Sequence, residues 1–456
     1  MIVLGVLIAI NVIVLAGYLM SRKYNASVML FFLGLLVFFI SQLLNLQNEI
    51  RPEAGFVLFD YFQLTVDTFI SRFRSNGLLI MLIGGYVEFM NRIKASDALV
   101  YVAMQPLSIL KQYPYVALVM LIPIGQLLFL AIPSAVGLGL LLVTTVYPIL
   151  TGLGINKLSA VSAIIVCTMF DIGPTSSNTL VASEMVSSDN VLYFLTQLRY
   201  VMPLTLLLMA VYYFVNRYYD TKELSAQKYA QKTVDIQELR YSAPLSYAIL
   251  PTLPLILTIF FSKYFHVLDW GTGMDLSSVI LFSLFIAALF ELIRRRSLKD
   301  LFKTIYPFWM GMGRTFSSVI TLLVFAEIFA QGLVGLGLVD AMINSVQTLG
   351  YGFYIIIILL TLTSFAAALI TGSGVAAFAT IGKLVPEIAL KFGIPVMTLM
   401  IPVQLAAGVG RAASPIAVVV IAVSEIAGVS PFDVARRNFL PAVIITAILI
   451  LLSYVI

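Results

Sequence analysis

The chain has 456 residues, 61% hydrophobic and 11% charged, with a mean hydropathy of +1.03. No soluble fold carries that balance, and the Val/Leu/Ile runs are too long and unalternating for a β-barrel, so the chain is an all-α polytopic membrane protein. The net charge of +5 sits in short loops between apolar runs, which argues against nucleic acid as a partner; the single cysteine, Cys167, excludes an internal disulfide and a cysteine metal cluster, and the single histidine, His266, excludes a histidine zinc site or triad.

Residues 2–20 are apolar and long enough to span; without a basic leader or a small-residue cleavage site they read as a retained helix. Arg22 and Lys23 follow, and 26–44 returns across. Residues 56–75 alternate aromatic and polar side chains, hold Arg72 and Arg74, and read as an arm lying along the interface. The next span is 76–91. Residues 115–132 are apolar and stop at Pro133-Ser134-Ala135-Val136-Gly137. The short segment 138–150, at ~1.5 Å per residue, falls short of a core roughly 30 Å thick. Two segments meeting at such a tip predict a re-entrant hairpin. Residues 158–170 then run into Asp171-Ile172-Gly173-Pro174-Thr175-Ser176-Ser177-Asn178, whose proline and hydroxyl residues predict a helix unwound at membrane depth. A span at 198–213 precedes 217–244, the only long hydrophilic stretch, which reads as a linker between halves.

The second half opens with a span at 245–261 and a loop carrying His266, Asp269, Trp270 and Asp275. A span at 279–293 ends in Arg294-Arg295-Arg296, a second arm is expected at 298–313, and 315–333 spans. Residues 354–370 lead to Thr371-Gly372-Ser373-Gly374 and 377–389 returns, a second hairpin. Residues 398–407 lead to a second break, Gly410-Arg411-Ala412-Ala413-Ser414-Pro415, after which 416–427 continues and 438–456 is the last span.

The halves correspond. Ser134, Gly154 and Ile155 match Ser373, Gly393 and Ile394 at a spacing of 239; Pro174, Ser183 and Glu184 match Pro415, Ser424 and Glu425 at 241. Such internal symmetry is common in secondary transporters. If each hairpin enters and leaves on one face, each half crosses five times and the second half is inverted. With both termini outside, the inner face receives Arg22, Lys23, Arg92, Lys94, Lys111, Lys157, the linker, Arg294 to Arg296, Lys299, Lys303, Arg436 and Arg437. The outer face keeps Arg51, Arg72, Arg74, Arg199, Lys263 and Lys391. That bias supports two inverted repeats with about ten transmembrane helices, two re-entrant hairpins and two helices unwound mid-membrane.

Broken helices expose N–H groups where anions bind and carbonyls where cations bind. The tips supply Ser134, Thr371, Ser373 and Gly374; the unwound stretches supply Thr175, Ser176, Ser177, Asn178 and Ser414. This neutral, hydroxyl-rich set suits carboxylate oxygens, unless the hydroxyls only cap frayed helix ends. Arg411 either forks onto a carboxylate or ties down unwound carbonyls. Asp171 either carries a proton, helps hold a sodium ion with Ser134 and Ser373, or pairs with Arg411. Glu184 and Glu425 read as structural, Glu327 and Glu387 as weaker proton-path candidates, Gln404 as reaching either substrate or a neighbouring hairpin, and Cys167 as a packing residue. No nucleophile–base pair, metal cluster or nucleotide motif is visible, so an enzyme is not expected, and no cofactor beyond a coupling Na+ or H+.

Thr371-Gly372-Ser373-Gly374 with Ala376, Gly410-Arg411 with Ser414-Pro415, and Val429-Ser430-Pro431-Phe432 resemble the DcuC family of anaerobic four-carbon-dicarboxylate carriers, within the ion transporter superfamily; Pro174-Thr175-Ser176 and Gly137-Leu138-Gly139 fit as well. The chain departs from the family pattern at Val375, Ala377, Asp171 and Asn178. The resemblance implies an elevator-type carrier, a homodimer in the bacterial inner membrane, that moves succinate, fumarate and related anions by efflux, uptake or exchange. On this chain it places scaffold at 1–112 and 198–350, with 431–456 as its final helix, and transport domain at 113–197 and 351–430. The alternatives are another carboxylate or an amino-acid-like substrate, a cation/proton antiporter, and an anion channel.

Overall fold

The computed structural model describes residues 2–22, 24–43, 57–105, 110, 112–224, 244–261, 275–338, 341 and 353–455. Every regular element among them is helical. Among the described residues seven helical stretches are long and apolar enough to cross a membrane by length and composition, so the chain is a multi-span membrane protein. The linker from 225 to 243, the loop with His266, Asp269 and Trp270, and Lys23, Arg51, Lys111 and Lys263 lie outside the described residues.

In chain order the first half contains α1 (Ile2–Ser21), α2 (Ala26–Leu43), α3 (Val57–Arg72), α4 (Leu78–Arg92), α5 (Ala95–Met104), α6 (Pro114–Ala131), α7 (Ala135–Thr145), α8 (Tyr147–Gly152), α9 (Lys157–Val166), α10 (Ser177–Met185) and α11 (Asn190–Leu224). The second half opens with a 3₁₀ turn (Leu245–Thr252), α12 (Leu253–Phe260), α13 (Leu276–Arg295), α14 (Leu298–Thr315) and α15 (Thr321–Gly335). It continues through α16 (Phe353–Thr371), α17 (Gly374–Ile381), α18 (Val385–Phe392), α19 (Val396–Ala412), α20 (Val418–Ala427) and α21 (Pro431–Leu452).

Three expectations are corrected. First, neither arm is a separate helix. A π turn, Phe73–Gly77, joins α3 to α4, and another, Phe316–Ile320, joins α14 to α15, giving two long rods. A π turn inserts one residue without breaking the helical backbone, so polar side chains do not end it. The rods lie antiparallel, α4 along α14 and α3 against α15. Glycines allow that approach: a Cβ on Gly85 would fall 2.7 Å from the Phe308 carbonyl oxygen. Second, the return arm of the first hairpin is not short. Helix continues past the apolar run into α8, making Ala135–Gly152 an 18-residue stretch. Third, the linker does not begin at Arg217, because α11 runs on to Leu224.

That last correction has a buried cause. Asp220 and Arg437 are 1% and 3% exposed and form an ion pair at 2.8 Å. The Ser159 hydroxyl donates to Asp220, as does the Tyr115 hydroxyl at 3.1 Å. A buried charge is tolerated only when paired and hydrogen-bonded, so the helix must extend to hold the acid in place. Arg437, expected as a cytoplasmic loop charge, is therefore part of the packing.

Many of the helix contacts fall within two sets, and the sets also meet, with α15 on α17, α1 on α16 and α5 on α6 and α7. α1 to α5 pack with the 3₁₀ turn, α12, α13, α14 and α15. α6 to α11 pack with α16 to α21, and the last helix, α21, lies on α9, α11, α19 and α20.

Candidate functional site

Each of the four breaks interrupts a helix, but the unwound stretches are displaced from the sequence reading: Gly410, Arg411 and Ala412 belong to α19, and Ser177 and Asn178 to α10. The chain leaves α9 at Val166 and crosses an irregular stretch before Ser176 caps α10. Gly173 has φ +112°, a conformation glycine adopts at low cost, and a Cβ there would strike Leu130 at 2.8 Å. The Thr175 hydroxyl donates to the Leu130 carbonyl at 3.2 Å. The first tip thus sits on the first break. At the second tip Gly372 has φ +71°, and a Cβ would lie 2.8 Å from the Ala417 nitrogen. The second tip thus rests on the second break. The broken helices cross at Gly408, where a Cβ would fall 2.2 Å from the Met169 carbonyl oxygen.

At the first break the Asp171 carboxylate accepts from the Ser176 hydroxyl at 2.6 Å and from the Asn178 amide at 2.8 Å. The Gln404 amide donates to the Asp171 carbonyl at 3.0 Å, and its oxygen accepts from Tyr193 at 2.8 Å and Gln197 at 3.0 Å. Gln404 is therefore a strut between the breaks. Asp171 and Arg411 do not form an ion pair; Arg411 feels the Asp171 charge without contact, and its guanidinium donates to the Thr168 carbonyl. Of the two roles open to Arg411, tying an unwound carbonyl is the one seen.

At the second break two polar atoms are left over. Arg411 Nε and the Ser414 hydroxyl are buried with no hydrogen-bond partner. A buried polar atom without a partner costs about 1–3 kcal/mol, so each needs a reason. The half-helix ends supply a contrast. Ser134, Ser176 and Ser373 each cap their own helix, accepting from Gly137, Thr179 and Ala376. α20 begins at Val418, and its N-cap residue, Ala417, provides no side-chain cap. Its first N–H groups and the positive end of its dipole form a ready anion site.

That uncapped end opens on a cavity of 360 Å³ lined by Thr371, Ser373, Ile416, Val418, Ile421, Ala422 and Glu425, together with Tyr24 and Ala26 beside α2. The volume lies in the range of small-molecule sites, about 300–1,000 Å³. Arg411 and Ser414 are buried behind this wall and do not line it. Ser177 is half-buried beside the first break, and Gly374 packs 3.1 Å from the Ala407 carbonyl oxygen, measured to the Cβ it lacks. Sequence reasoning missed the residues that hold the breaks open. The Asn438 amide donates to the Ala412 carbonyl at 2.9 Å, its oxygen accepts from Tyr212 at 2.7 Å, and Ser162 donates to the same oxygen. For Gln404's partners the available signal was polar spacing: Tyr193 and Gln197 lie four residues apart, on one face of α11.

The family model described as "DcuC: C4-dicarboxylate anaerobic carrier" matches residues 4–456. The chain belongs to the DcuC family. The family is one of membrane carriers, so the chain is a transporter and not an enzyme. It is similar to the anaerobic C4-dicarboxylate transporter DcuC of Escherichia coli K12, 29% identical over 443 residues, covering 96% of this chain and 94% of that one. It is likewise similar to the probable anaerobic C4-dicarboxylate transporter DcuC of Vibrio cholerae, 30% identical over 450 residues, covering 97% and 95%. Among solved structures the YdaH transporter of Alcanivorax borkumensis, described as having an unusual topology, superposes with a TM-score of 0.62 at 14% identity, over 95% of this chain and 98% of that one. That likeness concerns the fold alone.

Proposed function

We propose that this protein is an inner-membrane secondary carrier for small dicarboxylates of the four-carbon class, succinate and fumarate among them. One observation carries the reading: the uncapped N-terminus of α20 faces a cavity of 360 Å³ beside the Thr371 and Ser373 tip. One carboxylate is held by the α20 N–H groups and the tip hydroxyls. Lifting the tip off Ala417 uncovers the Ser414 hydroxyl and Arg411 Nε, whose unmet hydrogen bonds the ligand then satisfies.

Charge sets the coupling. Arg411 and Asp171 cancel, and Glu425 on the cavity wall is acidic, so the site offers a dianion no net positive side-chain charge. A sodium ion or proton carried with the substrate, with Asp171 as the acid nearest the crossing, supplies the missing charge.

An elevator stroke is the proposed motion. The two packing groups support it, with α1 to α5 and α12 to α15 as scaffold and α6 to α11 and α16 to α21 as the moving body. This redraws the division expected from sequence, moving α11 and α21 into the transport body. The recurrence of a π-bridged rod, a tip and a broken helix in each half supports the inverted repeat.

Counterflow in proteoliposomes tests the reading. Vesicles loaded with unlabelled succinate should accumulate labelled succinate and fumarate with saturation. Linear uptake that ignores internal succinate would mean a channel or another substrate.

A further inference from the structure

Four charges alternate along a line where the two packing groups meet. Glu184, at the end of α10, pairs with Arg72 at 3.0 Å; Arg72 pairs with Glu327 on α15 at 2.6 Å; Glu327 pairs with Lys383, beside α17, at 3.2 Å. Their side chains are 11% to 31% exposed, so they are shielded more than surface charges but not sealed. Arg72 and Glu327 belong to the scaffold rods, Arg72 directly before its π turn and Glu327 within α15. Glu184 and Lys383 belong to the hairpin-bearing group, and Lys383 also feels the Glu184 charge. Two of the three ion pairs therefore cross between the groups, and each group holds one acid and one base.

We infer that this cluster is a partner-exchange latch: when the transport body slides, Glu184–Arg72 and Lys383–Glu327 part, and the charges re-pair within each body as Arg72–Glu327 and Glu184–Lys383. The physical need is clear. An ion pair broken in a low-dielectric setting leaves two costly lone charges and would freeze the protein in one state. Two cross pairs that share a neutral set of four avoid this, because separation leaves each body electrically balanced. The Arg72–Glu327 half of the exchange is already made in the state seen here. The other half needs only Lys383 to turn from Glu327 to an acid whose field it already feels. The latch rests on the moving-body reading above, and its experiment separates the two.

The test uses full-length protein in sealed proteoliposomes, spin-labelled at Tyr306→Cys on α14 and Leu390→Cys on α18, both exposed. Double electron–electron resonance reports the distance between the bodies, and counterflow reports turnover. In the otherwise native chain, succinate plus a sodium or proton gradient should populate a second distance. One distance under every condition would overturn both the moving-body reading and the latch. Glu184→Gln and Lys383→Gln each leave the transport body with one unbalanced charge on separation. Each should deplete the second distance and slow counterflow by roughly tenfold. The double variant restores balance and should recover the second distance and most of the rate. If the native chain moves but the double variant is as slow as the worse single, or slower, the cluster is only a staple and the latch is wrong while the motion stands.

Discussion

Ser414 offers the sharpest separation of binding from stability. Its hydroxyl is fully buried and has no partner, so it stabilises nothing by hydrogen bonding in the unliganded chain. Replacing it with Ala removes an unsatisfied group worth about 1–3 kcal/mol of penalty and takes away a single oxygen. Ser414→Ala should therefore melt at the same temperature as the parent or higher. If the hydroxyl donates to a substrate carboxylate, a charge-assisted bond of about 1.5–3 kcal/mol is lost on binding. At 1.4 kcal/mol per decade, the Kd for succinate should rise by roughly 10- to 150-fold. Scintillation proximity binding and detergent melting read the two effects on one preparation. Ser424 provides the control, since its hydroxyl is equally buried and unpartnered but lies further along α20. Ser424→Ala should leave the Kd unchanged. A lowered melting temperature with unchanged affinity in Ser414→Ala, or equal affinity losses in both variants, would refute the argument.

Other outcomes follow from the same contacts. Asp220→Asn strands the buried Arg437 charge and should lower stability by about 3–5 kcal/mol, read as a fall in melting temperature, while an Asp220→Leu/Arg437→Met double variant should regain most of it. Gly408→Ala places a methyl 2.2 Å from the Met169 carbonyl oxygen and should cost about 1–3 kcal/mol, with counterflow falling further than stability because the crossing of the broken helices is pushed apart. Asp171→Asn removes the acid that cancels Arg411, so exchange of internal for external succinate should persist while accumulation driven by a sodium or proton gradient is lost; full gradient-driven uptake would free Asp171 from coupling.

The breaks were legible in the sequence because membrane depth punishes irregular backbone. Gly-Ser and Pro-Ser clusters inside apolar runs do not fit an unbroken helix packed against lipid. What they bind to was not legible. Nothing in local spacing says that Gly408 must clear Met169, or that Gly372 must clear Ala417, since both are long-range approaches. The arms failed for a different reason. Polar residues in 56–75 and 298–313 suggest an interfacial helix by composition, yet a helix turns polar equally well where it meets a second rod or an ion pair. Arg72 is the example: read as an outer charge, it is 11% exposed and holds two acids. Arg437 misled in the same way. A charge counted toward membrane orientation and a charge buried against a partner are identical letters until the partner, here Asp220, is in view. Asp171 and Arg411, pseudo-symmetric by position, invited a pairing that the crossing geometry does not make. Their hydrogen bonds go elsewhere, to Ser176 and Asn178 for one and to the Thr168 carbonyl for the other.

The place of the carboxylate decides between these readings, and a structure with succinate bound shows it. Carboxylate density is expected against the first N–H groups of α20, at Val418 to Val420, with the Thr371 and Ser373 tip displaced from Ala417 and the Ser414 hydroxyl turned to the ligand. Carboxylate density at the Ser134 tip instead, with the second tip still seated on Ala417 and Ser414 still without a partner, would contradict it.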